Sequence, residues 1–184
     1  MTVFRIPQLP TEQRLEELAA RFPDLDKTGI LTFITLVKVA GDIDSALISH
    51  YAKYGLSYGR FRLLIQLDRN QEEGMHPSEL ASCVCVKNAT ITGLIDGMVK
   101  DGLVLRKGDP KDRRASRIRL TTKGKRLLKT ILPDHFSRLA KLMKGLSRGE
   151  REKLTVLLGK VSEGLPAFLS PAFANGKSGR SPRT

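Results

Sequence analysis

The segment from Val104 to Lys125 concentrates positive charge, because it holds nine basic and two acidic residues, a net charge of +7. Such a segment can bind a polyanion such as nucleic acid, or it can be a solvated basic surface, as most charge runs are. Arg113 and Arg114 stand at a turn, where guanidinium groups can clamp phosphate or enter a narrow minor groove. We therefore predict a nucleic-acid contact here, through Arg106, Lys111, Arg113, Arg114 and Arg117.

A second group of candidate residues lies between positions 87 and 100. Apolar side chains at the spacing i, i+3, i+4 and i+7 predict one buried stripe of a helix there, formed by Ile91, Leu94, Ile95 and Met98. The opposite face fits a major groove, since Asn can pair with adenine, Thr can donate to phosphate or bases, and Ala can contact a thymine methyl. The residues predicted to face DNA are Lys87, Asn88, Ala89, Thr90, Thr92 and Gly93.

Two glycines interrupt this helix, and each costs about 1 kcal/mol relative to alanine in a helix interior. Gly93 and Gly97 therefore indicate that another group approaches the helix closely. Tight packing against a neighbouring hairpin is the alternative explanation. Asp96 on the same face is expected to orient an arginine rather than to act as a catalytic acid.

Two cysteines, Cys83 and Cys85, lie one residue apart, too close for an ordinary disulfide and too few for a zinc site. A thiolate near helix N-termini and basic residues is reactive, so sensing of oxidants is an alternative to the favoured role as structural filler. No metal site, catalytic residue or cofactor is predicted.

Aromatic residues cluster near the end of the first long helix. They can line a pocket for a small effector, while packing in the core or at the surface is the alternative. The residues of this predicted effector pocket are His50, Tyr51, Tyr54 and Tyr58.

The composition is that of a globular protein rich in aliphatic residues. The chain has 184 residues with a net charge of +13, a hydrophobic fraction of 40% and an aromatic fraction of 5%. No run approaches the roughly 18 apolar residues of a membrane span, and the first ten residues lack the pattern of an export signal. We expect a soluble, cytoplasmic protein with no membrane partner.

Helical periodicity predicts the elements that position these residues. A short helix covers positions 11–22, and a longer one, capped by Asp26, runs to about Lys53. Another begins at Leu56-Ser57, and a further one begins at Pro77. That helix is followed, after a connection of three residues, by the helix of positions 87–100, for which Asn88 is a candidate cap. Two short helices joined so tightly outline a helix-turn-helix.

The pattern changes to β after Gly102. Val104–Lys107 and Ser116–Leu120 are short strand candidates that flank the charged turn, so a hairpin follows the helix pair. Thr122 is expected to cap a long helix that contains Pro133, and a capping box at Ser147 begins a last helix that ends near position 165.

The order and spacing of several short motifs resemble the MarR family of bacterial winged-helix regulators. These motifs are Pro77-Ser78-Glu79-Leu80-Ala81, the run 89–96 (ATITGLID), the run 100–104 (KDGLV), the run 109–114 (DPKDRR) and the run 120–124 (LTTKG). The resemblance implies a homodimer with two winged lobes on one duplex, and often repression relieved by a small ligand or by oxidation. One departure is Cys85, which stands where the family usually has glycine. A left-handed backbone there would cost about 1 to 2 kcal/mol.

We therefore predict a mainly α protein, with a winged helix-turn-helix lobe, a small β-hairpin wing and long flanking dimerisation helices. The predicted domains are an N-terminal extension at 1–26, a MarR-like domain at 27–165 and a basic disordered tail at 166–184. Within the domain, the winged lobe covers about 56–124, and the dimerisation helices cover 27–53 and 122–165. The predicted function is regulation of transcription through a pseudo-palindromic duplex site, as a repressor released by a small aromatic or phenolic effector. The alternative is a thiol-based redox-sensing regulator or thiol oxidoreductase that uses Cys83 or Cys85.

Overall fold

The computed structural model describes residues 6–109 and 115–169, and only the backbone of Asn88. It confirms a mainly helical fold with a two-stranded antiparallel sheet. The chain divides after Ile131 into two compact units. The helices are α1 (Glu12–Arg21), α2 (Lys27–Ala52), α3 (Tyr58–Arg69), α4 (Pro77–Val84), α5 (Asn88–Lys100), α6 (Thr122–Leu142), α7 (Arg148–Glu163) and α8 (Leu165–Leu169), and the strands are β1 (Val104–Gly108) and β2 (Ser116–Leu120).

The first two helices begin where side-chain caps are available. The hydroxyl of Thr11 accepts a hydrogen bond from Arg14 N at the start of α1, and the carboxylate of Asp26 accepts one from Thr28 N at the start of α2. Each side chain satisfies a backbone donor that has no partner within its helix. Gly55, with φ of +68°, follows α2, because glycine adopts the left-handed conformation without steric cost.

Helices α4 and α5 form the predicted helix-turn-helix. Pro77 occupies the first position of α4, and the carboxylate of Glu79 accepts a hydrogen bond from His76 N over 2.7 Å. Cys85 ends α4 in the left-handed conformation, with φ of 54° and ψ of 49°, at the position where the family usually has glycine. Lys87 precedes α5 as its N-cap without a side-chain hydrogen bond. The prediction of Asn88 as the cap was wrong, since Asn88 already has helical geometry.

The hairpin closes the first unit over the helix pair. Val104 pairs with Leu120 and Gly108 with Ser116, and a bridge from Met75 to Ile118 covers the other side of β2. The buried side chains of this unit come mainly from α3, α4, α5, β2 and the start of α6, and they form one largely aliphatic core. They include Leu63, Leu64, Leu67, Leu80, Ile91, Ile95, Met98, Ile118, Leu128 and Ile131.

The start of α6 packs in the core of the first unit. The hydroxyl of Thr121 accepts a hydrogen bond from Gly124 N over 3.0 Å, so Thr121 is the cap, and the prediction of Thr122 was off by one residue. Gly124 is required here because a Cβ at this position would collide with the carbonyl oxygen of Leu103.

The second unit contains the rest of α6, which continues through Pro133, together with α7 and α8. The predicted capping box is present, because the side chains of Ser147 and Glu150 each accept a hydrogen bond from the other residue's backbone. No residue of α7 is buried. Helix α8 extends to Leu169, so the first residues of the predicted tail are helical. The remainder of that tail, from position 170, lies outside the described residues.

Candidate nucleic-acid interface

Helix α5 turns a small, polar face to solvent. Ala89, Thr90, Thr92 and Gly93 are exposed, whereas Ile91, Ile95 and Met98 on the other side are almost fully buried. A Cβ built on Gly93 would meet no atom within 4 Å, so nothing in the described part of the chain explains glycine at this position. Lys87 is also exposed, at the N-terminal end of the same helix. The face predicted to contact DNA is therefore accessible.

The second helical glycine has a different explanation. A Cβ on Gly97 would collide with the guanidinium of Arg60, which lies against the helix at this point. The same guanidinium donates to the carboxylate of Asp101 over 2.7 Å, just after α5 ends. The close approach expected from the sequence is thus made by an α3 side chain at Gly97, and neither the hairpin nor a ligand is needed to explain this glycine.

The turn between α4 and α5 is held by a second arginine of α3. Arg62 donates from Nη1 to the carbonyl oxygen of Val84 over 2.9 Å and from Nη2 to that of Cys83 over 3.1 Å. Carbonyl groups at the end of a helix have no partner within the helix, so these hydrogen bonds satisfy them. Sequence reasoning missed Arg60 and Arg62, because their partners are distant in the chain.

The wing is linked to α5 through its first strand. Arg106 of β1 donates to the carboxylate of Asp96 over 2.6 Å, with both side chains well exposed. An exposed ion pair contributes only about 0–1 kcal/mol to stability. Its main effect is therefore to orient Arg106 beside the exposed face of α5. This arrangement agrees with the expected role of Asp96.

The wing base contains a buried carboxylate. Asp109 is 7% exposed. One of its oxygens lies 2.6 Å from Nε of Arg117 and 3.0 Å from Nε2 of His76. The hydrogen bond with Asp109 raises the pKa of the Arg117 guanidinium, which therefore stays charged. Arg117, predicted as a DNA contact, thus has its guanidinium engaged within the protein, and a role in DNA binding stays a prediction.

The predicted wing tip lies outside the described residues, and it includes Lys111, Arg113 and Arg114. The described residues on either side bring the ends of the loop together, since Asp109 N donates to the carbonyl oxygen of Ala115 over 3.1 Å. Asp109 and Ala115, which flank this loop, therefore lie side by side next to the paired residues Gly108 and Ser116.

The aromatic residues predicted as an effector pocket do come together. The ring of Tyr51 stacks on that of Phe61, with centroids 4.0 Å apart, and lies parallel to that of Tyr58 at 5.6 Å. His50 contacts both Tyr51 and Tyr54. Tyr51 is fully buried, and burial, with a smaller contribution from Tyr58, raises the pKa of its phenol. Tyr51 thus belongs to the core, and the pocket remains a prediction.

The other cavities and reactive side chains of the described residues give weaker indications of function. A cavity of about 600 Å³ is lined mainly by charged and polar residues of positions 68–75. A smaller one, of about 330 Å³, lies between the starts of α1 and α2. Cys83 and Cys85 are both free and exposed. Among the described residues, no three metal-binding side chains form a group, and no helix is long and apolar enough to cross a membrane.

A helix pair with one exposed small-residue face, followed by a basic β-hairpin, defines a winged helix-turn-helix protein. Comparison with known proteins identifies its family. The model of the MarR family matches residues 56–116. The transcriptional repressor YetL of Bacillus subtilis is 33% identical over 163 residues, which cover 89% of this chain and 98% of YetL. The chain therefore belongs to the MarR family, and it is a transcriptional regulator.

Solved structures share the fold. AbsC, a MarR family regulator from Streptomyces coelicolor, superposes with a TM-score of 0.70 at 23% identity, over 78% of this chain and 97% of AbsC. CouR from Rhodococcus jostii, solved with p-coumaroyl-CoA bound, gives a TM-score of 0.58 at 25% identity, over 74% of this chain and 91% of CouR. YetL is a transcriptional repressor by name, so it gives no support to the thiol oxidoreductase alternative.

Proposed function

We propose that this regulator binds a pseudo-palindromic site on double-stranded DNA as a homodimer, in the cytoplasm and without enzymatic activity. The observation that carries the proposal is the exposed face of α5, where Gly93 leaves open space and Ala89, Thr90 and Thr92 are accessible. A helix with such a face fits the major groove, which admits one α-helix. Lys87, Asn88 and the wing cations Arg106, Lys111, Arg113 and Arg114 would supply further base and phosphate contacts.

The second unit supports the homodimer. In α7, apolar side chains repeat at i, i+3, i+4 and i+7, and they are 40–47% exposed: Leu154, Leu157, Leu158 and Val161. Such a stripe belongs to a buried helix face, yet no residue of α7 is buried within its own chain. A second copy of the chain would cover it. We assign the dimer contacts to the helices of residues 27–53 and 122–165.

We also propose that the protein is a repressor released by a small aromatic or phenolic effector. Two of the relatives support this, since YetL is a repressor by name and the CouR structure holds p-coumaroyl-CoA, a phenolic thioester. The candidate effector residues are His50, Tyr51, Tyr54 and Tyr58, which form one aromatic cluster at the junction of α2 and α3.

Selection of bound sequences from a random duplex pool tests DNA binding most directly. We expect enrichment of an inverted repeat whose half-sites lie about one helical turn apart, as two identical lobes require. Binding to the selected duplex should exceed binding to RNA of the same sequence at the same salt concentration. Equal binding to RNA and duplex, or enrichment of no sequence, would contradict the proposal.

Sedimentation tests the assembly. The full-length protein is expected to be a dimer at micromolar concentration. A chain truncated after Gly124 is expected to be monomeric, because it lacks most of α6 and all of α7. A monomeric full-length protein would exclude the homodimer.

A further inference from the structure

Arg62 contacts the helix-turn-helix at its connecting turn, away from the exposed face of α5. Its two hydrogen bonds end on the carbonyl oxygens of Cys83 and Val84, the last two residues of α4. Hydrogen bonds from a charged donor are stronger than those between neutral groups. Arg62 therefore fixes the point at which the chain leaves α4 for α5.

That point is also where the backbone is strained. Cys85 follows directly, and it is the one non-glycine residue with positive φ in the described part of the chain. Cys85 N donates to the carbonyl oxygen of Ser82 over 3.2 Å, and Val86 N donates to that of Ala81 over 3.1 Å. The left-handed conformation disfavours a residue that has a Cβ, so the turn needs contacts that hold it. The hydrogen bonds from Arg62 are such contacts.

Arg62 is itself held from the other side. Its guanidinium lies 5.8 Å from the ring centroid of Tyr58, in cation–π geometry. The Tyr58 ring is parallel to that of Tyr51, which is fully buried and stacks on Phe61. A continuous set of contacts therefore runs from the end of α2, through α3, to the turn that precedes α5.

We propose that Arg62 is a positioning residue for DNA recognition, which acts by holding the strained turn at Cys85 and thereby the start of α5. The inference rests on the proposed binding of DNA by α5. Without Arg62, the turn populates other conformations, and the apparent affinity falls with the fraction of molecules that are competent to bind. Because Arg62 contacts the turn and not a phosphate of the DNA, its substitution removes no phosphate contact. The dependence of affinity on salt should therefore stay unchanged.

The test compares Arg62→Met with the wild-type protein on the selected duplex. Loss of two charge-assisted hydrogen bonds is expected to weaken binding about tenfold per lobe, and about a hundredfold for a dimer with two lobes. The slope of log affinity against log salt should not change. The matched control is Arg69→Met, which removes the same charge from an exposed position of the same helix. It should keep the wild-type affinity within about twofold per lobe.

A double variant separates positioning from direct contact. In the Cys85→Gly background the turn is no longer strained, because glycine adopts the left-handed conformation freely. Arg62→Met should then cost about threefold or less per lobe. Arg62→Lys keeps the positive charge but has one donor nitrogen in place of the two that Arg62 uses, so its affinity should lie between those of the wild-type protein and Arg62→Met. Tyr58→Leu, which removes the ring beneath the guanidinium, should weaken binding in the same direction with an unchanged salt slope.

The outcomes are distinguishable. Unchanged affinity in Arg62→Met would overturn the inference. An equal loss of affinity in the wild-type and Cys85→Gly backgrounds, together with a reduced salt slope, would also overturn it, because that result indicates a direct phosphate contact. If circular dichroism shows Arg62→Met to be unfolded, Arg62→Lys and Tyr58→Leu decide, and wild-type affinity in both would overturn the inference. A wild-type protein that selects no duplex would contradict the proposed function itself.

Discussion

Replacing Cys85 with glycine is expected to make the protein more stable. A left-handed backbone costs a non-glycine residue about 1 to 2 kcal/mol, and Cys85 has φ of 54° and ψ of 49°. The larger entropy of glycine in the unfolded chain offsets about 0.5 to 1 kcal/mol of this gain. The thiol adds little to stability, because the hydrogen bond that it donates to the carbonyl oxygen of Ser82 over 3.7 Å comes from a weak S–H donor. The free energy of unfolding should therefore rise by about 0.5 to 1 kcal/mol.

Urea unfolding at a fixed protomer concentration, under reducing conditions, measures this change. The midpoint should rise at constant slope, and the melting temperature should increase by about 1 to 4 °C for a chain of this length. The matched control is Cys83→Gly, the same chemical change two residues earlier, in α4. It should lower stability by about 0.3 kcal/mol, because glycine has a lower helix propensity than cysteine. If both substitutions destabilise the protein, the reasoning about backbone strain at Cys85 is refuted.

Four other predictions concern the interface and the core. Gly93→Ala should raise the stability of the free protein by about 1 kcal/mol yet weaken DNA binding, whereas Gly97→Ala should destabilise the protein, as thermal melts and binding assays would show. Arg113→Ala or Arg114→Ala should reduce the salt slope of duplex binding by about 1 per lobe, and an unchanged slope would remove the wing from the interface. Burial raises the pKa of the Tyr51 phenol in the folded protein, so the unfolded chain loses this proton first and stability should fall as pH rises above about 10. Tyr51→Phe should lessen that fall in alkaline urea titrations. A panel of phenolic acids should contain a compound that raises the melting temperature and lowers DNA affinity, and no response to any of them would leave the effector proposal unsupported.

The elements of the first unit were predictable from the sequence because their signals are local. Pro77 marks the start of α4, and Gly102 follows α5 with φ of +69°. Three of the four apolar residues predicted to form the stripe of α5 are buried, Ile91, Ile95 and Met98, whereas Leu94 is half-buried. The two strands match their predicted spans within one residue. The left-handed conformation at Cys85 lies at the position where the sequence departs from the family's usual glycine, and the sequence alone indicated only what such a backbone would cost there.

The interactions between these elements were not predictable in the same way. The partner of Arg117 is Asp109 across the hairpin, and the partners of Arg60 and Arg62 are 41 and 21–22 residues away. Such pairs depend on strand register and helix packing, which no local pattern determines. The count of positive charge that predicted Arg117 as a DNA contact therefore gave no sign of its ion pair with a buried carboxylate.

The pairing of the small sheet has a consequence for how the protein behaves at high concentration. Strand β2 is paired on both sides, with β1 and with Met75, so in the described part of the chain β1 is the open edge. An open edge is a template for strand addition by another molecule, and cations on it oppose such pairing. Arg106 and Lys107 lie on this edge. Their repulsion is screened beyond about 8 Å at physiological ionic strength and over shorter distances in concentrated salt. Self-association through the wing should thus increase in concentrated salt, while at low ionic strength the same charges favour a polyanion at this edge over a second wing.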